Sequence, residues 1–204
     1  ANLSILYDST QRFSKLKKIS IMGLHLLNIH NISDFQGIIE NSKLRKLEVL
    51  YLHGSSKMGL LKMKDVLPHL LRVTTKHVYL DSFKLTERDL QMVFNYSYKT
   101  ETLTLANCDV SHLGESFTIP PEKEYRMTTL DLFWTCAKEN SDHLDKHKLP
   151  IFLKALKDTK LSLSLQNIHV CEDDFSKYDL KFFFEKENLF YNFIVDNELK
   201  ELTN

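Results

Sequence analysis

Apolar residues recur along this chain in a short alternating pattern. Two apolar positions flank one outward position, and a third apolar residue often lies three places earlier. The copies are Leu16-x-x-Ile19-x-Ile21, Leu47-x-x-Leu50-x-Leu52, Val78-x-Leu80, Leu103-x-Leu105, Met127-x-x-Leu130-x-Leu132 and Leu163-x-Leu165. The first residue of the pair advances by 31, 28, 25, 27 and 33 positions between successive copies. A period of two puts alternate side chains on opposite faces, so each copy predicts a half-buried strand. Three copies run on into a second apolar pair: Phe83 and Leu85, Cys108 and Val110, Ile168 and Val170.

Helical spacing separates the copies. Asp34 to Asn41 carries Phe35, Ile38 and Ile39, and Met63 to Val73 carries Val66, Leu67, Leu70 and Leu71, one apolar helix face each. Thr86 is placed to cap a helix whose inward residues are Leu90, Val93 and Phe94. Pro150 falls in the first turn of a helix bearing Phe152, Leu153 and Leu156. The stretch 111–126, with Pro120-Pro121, lacks helical spacing and predicts an extended loop. Strands alternating with helices imply an α/β fold with parallel strands joined by crossovers. One unit cannot bury its own apolar face, whereas a stack of them can.

The stretch Leu103-Thr-Leu-Ala-Asn-Cys108-Asp-Val110, the L-x-x-L-x-L copies and the period near 28 resemble the leucine-rich-repeat family, ribonuclease-inhibitor-like subtype. The resemblance covers about residues 13–175. It implies a horseshoe solenoid with a parallel strand ladder on the concave face and helices on the convex face. Thr75, Thr100 and Lys160 stand at the first Leu position of their copies, and Leu24, Ser55 and Phe83 replace the usual Asn or Cys. The expected organisation is one domain over 1–204: about six repeats, then an aromatic-rich helical segment over 176–204. Ala1 at the start and Leu199-Lys-Glu-Leu202 near the end read as cuts through a longer protein.

The resemblance makes the concave strand face the usual docking surface. Residues between the core positions would form it: Ser20, Tyr51, Tyr79, Thr104, Asp131 and Ser164 in one row, Met22, His53, Asp81, Ala106, Phe133 and Gln166 in the next. Tyr51, Tyr79 and Phe133 stand out, because aromatic rings bury much area with few rotors. Met22, Tyr51, His53, Tyr79, Asp81, Asp131 and Phe133 are therefore the candidate partner-binding residues, and Trp134 adjoins them. A rival arrangement has the rings packed on one another across the ladder.

Composition narrows the function. Hydrophobic residues are 43% and charged residues 26%, as in a folded chain. Residues 1–100 hold 15 Lys+Arg against 8 Asp+Glu, and residues 101–204 hold 12 against 19, so opposite charges of seven cancel to a net charge of zero. The basic clusters Lys15, Lys17, Lys18 and Lys43, Arg45, Lys46 are too few beside this balance to favour nucleic acid. Three widely spaced cysteines, Cys108, Cys136 and Cys171, suit a reduced, cytoplasmic setting better than a disulfide framework. No apolar run reaches the length of a membrane span. The Lys-, Asn- and Phe-rich usage suits an AT-rich genome such as a protist's.

Catalytic chemistry is not encoded in any recognisable motif. The five glycines form no phosphate-binding loop, and His53-Gly54-Ser55-Ser56 reads as a turn. His143-x-x-x-His147 lacks the Glu of a zinc protease helix. Glu172-Asp173-Asp174 reads as favourable charge before a helix. None of the five Arg residues has the context of a GTPase-activating residue. The expectation is a protein-interaction scaffold of unknown partner, with no catalytic residue, cofactor or metal. Two alternatives stay open: a subunit buried permanently in a larger complex, and a substrate-recognition domain of a ubiquitin-ligase adaptor.

Overall fold

Residues 17–22, 44–55, 59–120, 122–133, 148–157, 159–170, 192–195 and 198–200 are described by a computed structural model of the chain. The fold is α/β. Strands β1 (Lys18–Ile21), β2 (Leu47–His53), β3 (Thr74–Asp81), β4 (Thr102–Ala106), β5 (Thr129–Phe133), β6 (Asn167–Val170), β7 (Asn192–Val195) and β8 (Glu198–Lys200) lie in one sheet in chain order. Every pair from β1 to β7 is parallel, and β8 returns antiparallel on β7.

Alternation explains the register. Ile19, Leu50, Val78, Leu103, Leu130 and Ile168 are neighbours across six strands, and all are buried. Two residues on, Leu52, Leu80, Leu105 and Leu132 make a second buried row. A slip of one residue would turn either row out to the opposite face, so burial itself holds the pairing. Position three before the first row is Leu47 in β2, Met127 before β5 and Leu165 before β6, all buried. Where Thr takes this place the hydroxyl finds a carbonyl: Thr75 Oγ1 donates to Leu47 O at 3.1 Å and Thr100 Oγ1 to Thr74 O at 3.1 Å. β3 carries one extra residue against β2 between the pairs Leu47–Thr74 and Val49–His77.

The helices cover the buried face of the sheet. A 3-10 turn (Leu60–Met63) leads to α1 (Leu67–Val73), which has Pro68 in its first turn and buries Leu67, Leu70 and Leu71. α2 (Glu87–Tyr96) opens on the expected Thr86 cap: Thr86 Oγ1 accepts from Asp89 N at 3.2 Å while Asp89 Oδ2 accepts from Thr86 N at 2.9 Å. α3 (Lys148–Lys157) buries Phe152, Leu153 and Leu156, as its spacing predicts. Phe152 meets Phe94 of α2 at 5.6 Å and Phe117 of the 111–126 stretch at 5.9 Å between ring centroids. That stretch has no helix among its described residues, yet Leu113, Phe117, Ile119 and Tyr125 are buried. Lys123 ties it down, donating through Nζ to Asn95 O at 2.6 Å and Oδ1 at 2.8 Å, and lying 4.7 Å from the Tyr98 ring centre.

The sixth copy differs from its expected register. Leu161–Ser164 is a short helix, α4, and Leu163 is 86% exposed. The strand begins later, with Leu165-x-x-Ile168-x-Val170 carrying the apolar pattern. Strand alternation of Leu161, Leu163 and Leu165 would have buried all three. Shifting the strand lets Leu161 and Leu165 stay in the core and aligns Ile168 with Leu130. Lys160 therefore precedes α4 and does not occupy a first Leu position.

The C-terminal segment expected to be helical is strand at 192–195 and 198–200. Ile194 and Val195 are β-branched and favour extended backbone. The edge of β6 also offers backbone groups that a strand satisfies and a helix cannot. The helix expected over 34–41, and Trp134, Cys136, His143, His147, Cys171, the acidic run 172–174 and aromatics 182–191, lie outside the described residues. Among the described residues no helix is long and apolar enough to cross a membrane.

Candidate functional site

The outward positions of the strands form one continuous row. Ser20, Tyr51, Tyr79, Thr104, Asp131 and His169 are successive neighbours in register. The row below runs through Lys18, Val49, His77, Thr102, Thr129 and Asn167, and the row above through His53, Asp81, Ala106 and Phe133. These residues share the sheet face opposite the buried leucine rows.

Two linked groups organise the face. In the first, the Tyr51 and Tyr79 rings stack at 4.9 Å with planes 30° apart. Tyr51 Oη donates to Asp81 Oδ2 at 3.1 Å. Asp81 Oδ1 accepts from Ser82 Oγ at 2.8 Å and Asn107 Nδ2 at 3.1 Å. Ser82 and Asn107 have φ of 60° and 52°, a left-handed conformation uncommon for residues with a Cβ. Both side chains thereby reach the same carboxylate. Burial, then the Asp81 hydrogen bond and charge, raise the Tyr51 phenol above its ordinary value. Burial, then the charges of Asp81 and Asp131, raise the Tyr79 phenol.

In the second group a polar chain crosses four strands. His77 Nε2 lies 2.8 Å from Thr104 Oγ1, which donates to Asp131 Oδ2 at 2.6 Å. A hydroxyl has one proton, and Asp131 receives it. Thr104 therefore accepts from His77, so Nε2 of that ring carries hydrogen. Asp131 Oδ1 is 2.8 Å from His169 Nδ1, a close contact without the alignment of a hydrogen bond. Burial lowers the His77 pKa, and the charge of Asp131 opposes that shift. His77 also meets the Tyr79 ring edge-on at 5.8 Å, joining the two groups.

The chain matches no model of a known protein family and no curated protein.

The candidate residues fall into distinct settings. Tyr51, Tyr79 and Asp81 are half-buried and interlocked. The rings thus pack on each other while remaining partly open, which combines the two arrangements considered for them. Asp131, expected to be available to a partner, is only 9% exposed and is engaged by Thr104. Thr104 and His169, on the two flanking strands, lie against its two oxygens and enclose the carboxylate. His53 is half-buried, with Nδ1 buried and without a hydrogen bond. Met22 is 70% exposed at the end of β1, apart from both groups. Phe133 shares the register of Ala106; its side chain lies outside the described residues.

Thr104 stood in the predicted docking row and His77 in the outward row beside it, neither singled out as a binding residue; Ser82, Asn107 and His169 were not on the predicted face. His77 and Thr104 occupy outward positions that period-two counting identifies. His169 was hidden by the register of the sixth copy, which put Ser164 in its place. Ser82 and Asn107 follow strand ends, and their convergence on Asp81 has no linear signature.

Elsewhere, Cys108 is a buried free thiol, pushed up to about 12 by burial. Its Sγ lies 3.3 Å from Ala106 O and 3.6 Å from Leu80 O, so it bridges strand ends. Gly54, at the end of β2, is required by packing, because a Cβ there would collide with the Phe83 ring. Among the described residues no three His, Cys, Asp or Glu side chains converge as metal ligands.

Proposed function

We propose that this chain is a leucine-rich-repeat solenoid of the ribonuclease-inhibitor-like kind, and that its outward strand face docks a protein partner. The repeat reading is supported by parallel strands in chain order, each bringing the same two apolar rows into register. One observation carries the functional reading: the Tyr51–Tyr79 stack held against Asp81 on a face that the core does not use. Rigid, half-open aromatic rings beside fixed polar groups are what a protein hot spot needs.

The scaffold reading is favoured over a permanently buried subunit. Among the described residues the large exposed apolar side chains are Met22 and Leu163, which are isolated. A subunit interface would present a contiguous apolar patch. Recognition of substrates within a ubiquitin-ligase adaptor is one form that such docking takes. The buried free thiol of Cys108 suits a reduced, cytoplasmic setting.

Affinity capture from the source cells tests this reading, with wild type beside Tyr51→Ala/Tyr79→Ala and circular dichroism to check folding. A partner kept by the wild type and lost by the folded variant is the expected result. Equal retention by both would move docking away from the strand face.

A further inference from the structure

The charge of the strand face points to the chemistry of its partner. From β2 to β6 no face position holds Lys or Arg, whereas Asp81 and Asp131 both stand there. Of the cations at the opposite strand ends, Lys17 and Lys76 both pair with Glu48, and Lys18 stands exposed at the start of β1, two strands from β3. Asp81 is held by three neutral donors, from Ser82, Asn107 and Tyr51. A carboxylate offers about four acceptor positions. Oδ1 already takes two donors and Oδ2 takes one, so Oδ2 keeps a free position beside the Tyr51 hydroxyl.

Tyr79 lies one outward position from Asp81 on β3, and two strands from Asp131. Two strand spacings are about 10 Å, so Asp131 acts there through its field and not by contact. Both carboxylates are felt at the Tyr79 phenol, in accord with this placement. A ring in a negative field, with a free carboxylate position at its side, favours a cation. An ammonium is compact and can meet the ring or the carboxylate well. A guanidinium is flat, stacks on an aromatic face and still donates from its edge.

We infer that the strand face takes an arginine side chain of the partner, laid against the Tyr79 ring with its edge toward Asp81 Oδ2. The inference rests on the docking role proposed above and adds the partner's chemistry: a basic, arginine-bearing segment. Asp131, enclosed with Thr104 and His169, supplies attraction at a distance. The stack with Tyr51 holds the Tyr79 ring in place before the partner arrives, which lowers the ordering cost of binding.

Random peptides displayed on phage, panned on the intact chain, provide the test. Arginine-containing peptides should be enriched on the wild type and lost on Asp81→Asn, which keeps the side-chain shape. For an enriched synthetic peptide, replacing its arginine by neutral citrulline should weaken binding about tenfold. On Asp81→Asn the same replacement should have a smaller effect, because only the Tyr79 ring is left to meet the guanidinium. If that variant loses the native circular dichroism spectrum, Tyr79→Leu replaces it; the ring is removed while Asp81 and its donors stay. Peptides without arginine that still need Tyr51 and Tyr79 would overturn the arginine anchor and leave the docking face standing. Peptides indifferent to Tyr51→Ala/Tyr79→Ala would overturn the docking face itself. Absence of any enrichment would overturn the anchor.

Discussion

The two faces of the same strands follow different rules. On the buried face every strand from β1 to β6 places Ile, Leu or Val at one register position. On the other face that register runs Ser20, Tyr51, Tyr79, Thr104, Asp131, His169. Burial of apolar area is non-directional, so any residue of similar size serves. Hydrogen bonds and ring stacking are directional, so each position depends on its neighbour. The strands thus build one uniform surface and one individual surface from a single backbone plan. Stability should reside mainly in the first and recognition in the second.

The sharpest test of this division is a pair of truncations. Leu105→Ala, at a fully buried position, should cost about 2–5 kcal/mol in urea unfolding. Tyr79→Ala, at a half-open position on the other face, should cost clearly less while reducing partner capture. Equal losses would mean that the strand face is core in all but name.

Thr104 is the point where the division is weakest, since it is 1% exposed and polar. Thr104→Val keeps the shape but removes the link between His77 and Asp131. Leaving buried polar groups unmatched should cost about 1–3 kcal/mol, below the loss for Leu105→Ala. A stability unchanged from wild type would show that the chain of contacts contributes nothing to folding.

A smaller effect is expected from pH. Burial holds the His77 pKa below its ordinary value of 6.5. The folded state then binds fewer protons than the unfolded state around that pH. The stabilisation is present above the unfolded value and is lost as pH falls through it toward the folded value. Unfolding midpoints compared at neutral and mildly acidic pH should therefore decline on acidification, and His77→Gln should flatten the decline. An equally steep decline in the variant would assign it to other groups.

The least effect belongs to the exposed pairs at the strand starts. Lys76, at 2.9 Å, and Lys17, at 3.4 Å, hold the Glu48 carboxyl below its usual value, with the Lys76 hydrogen bond the largest cause. Solvent and salt screen such pairs. Glu48→Gln should leave the thermal midpoint within measurement error of wild type, and a clear drop would give these charges an unexpected structural part.

Much of this structure is legible from local signals. Thr86 and Asp89 stand three residues apart before an apolar helix face, and they form the expected capping pair. Leu50, Val78, Leu103 and Leu130 identify their strands by alternation alone. Leu161, Leu163 and Leu165 mislead for the same reason, because Leu161 and Leu165, four residues apart, also fit one side of a single helical turn, which leaves Leu163 exposed. The neighbour β5 arbitrates, and its Leu130 selects Ile168. That one shift concealed His169 and with it the end of the polar chain.

What the amino-acid sequence determined by itself is the class of fold, the inward residues of β1 to β5 and the direction in which the intervening side chains point. These follow from period two and period 3.6, which are properties of the chain over a few residues. Only the tertiary structure decided which outward residues meet. Tyr51 and Asp81 are 30 positions apart, and Thr104 and Asp131 are 27 apart. Such contacts depend on register, on side-chain rotamers and on the left-handed turns at Ser82 and Asn107. The C-terminal strands were decided in the same way, by the open edge of β6. Local pattern assigns a residue to a face, but the groups on that face are made between strands.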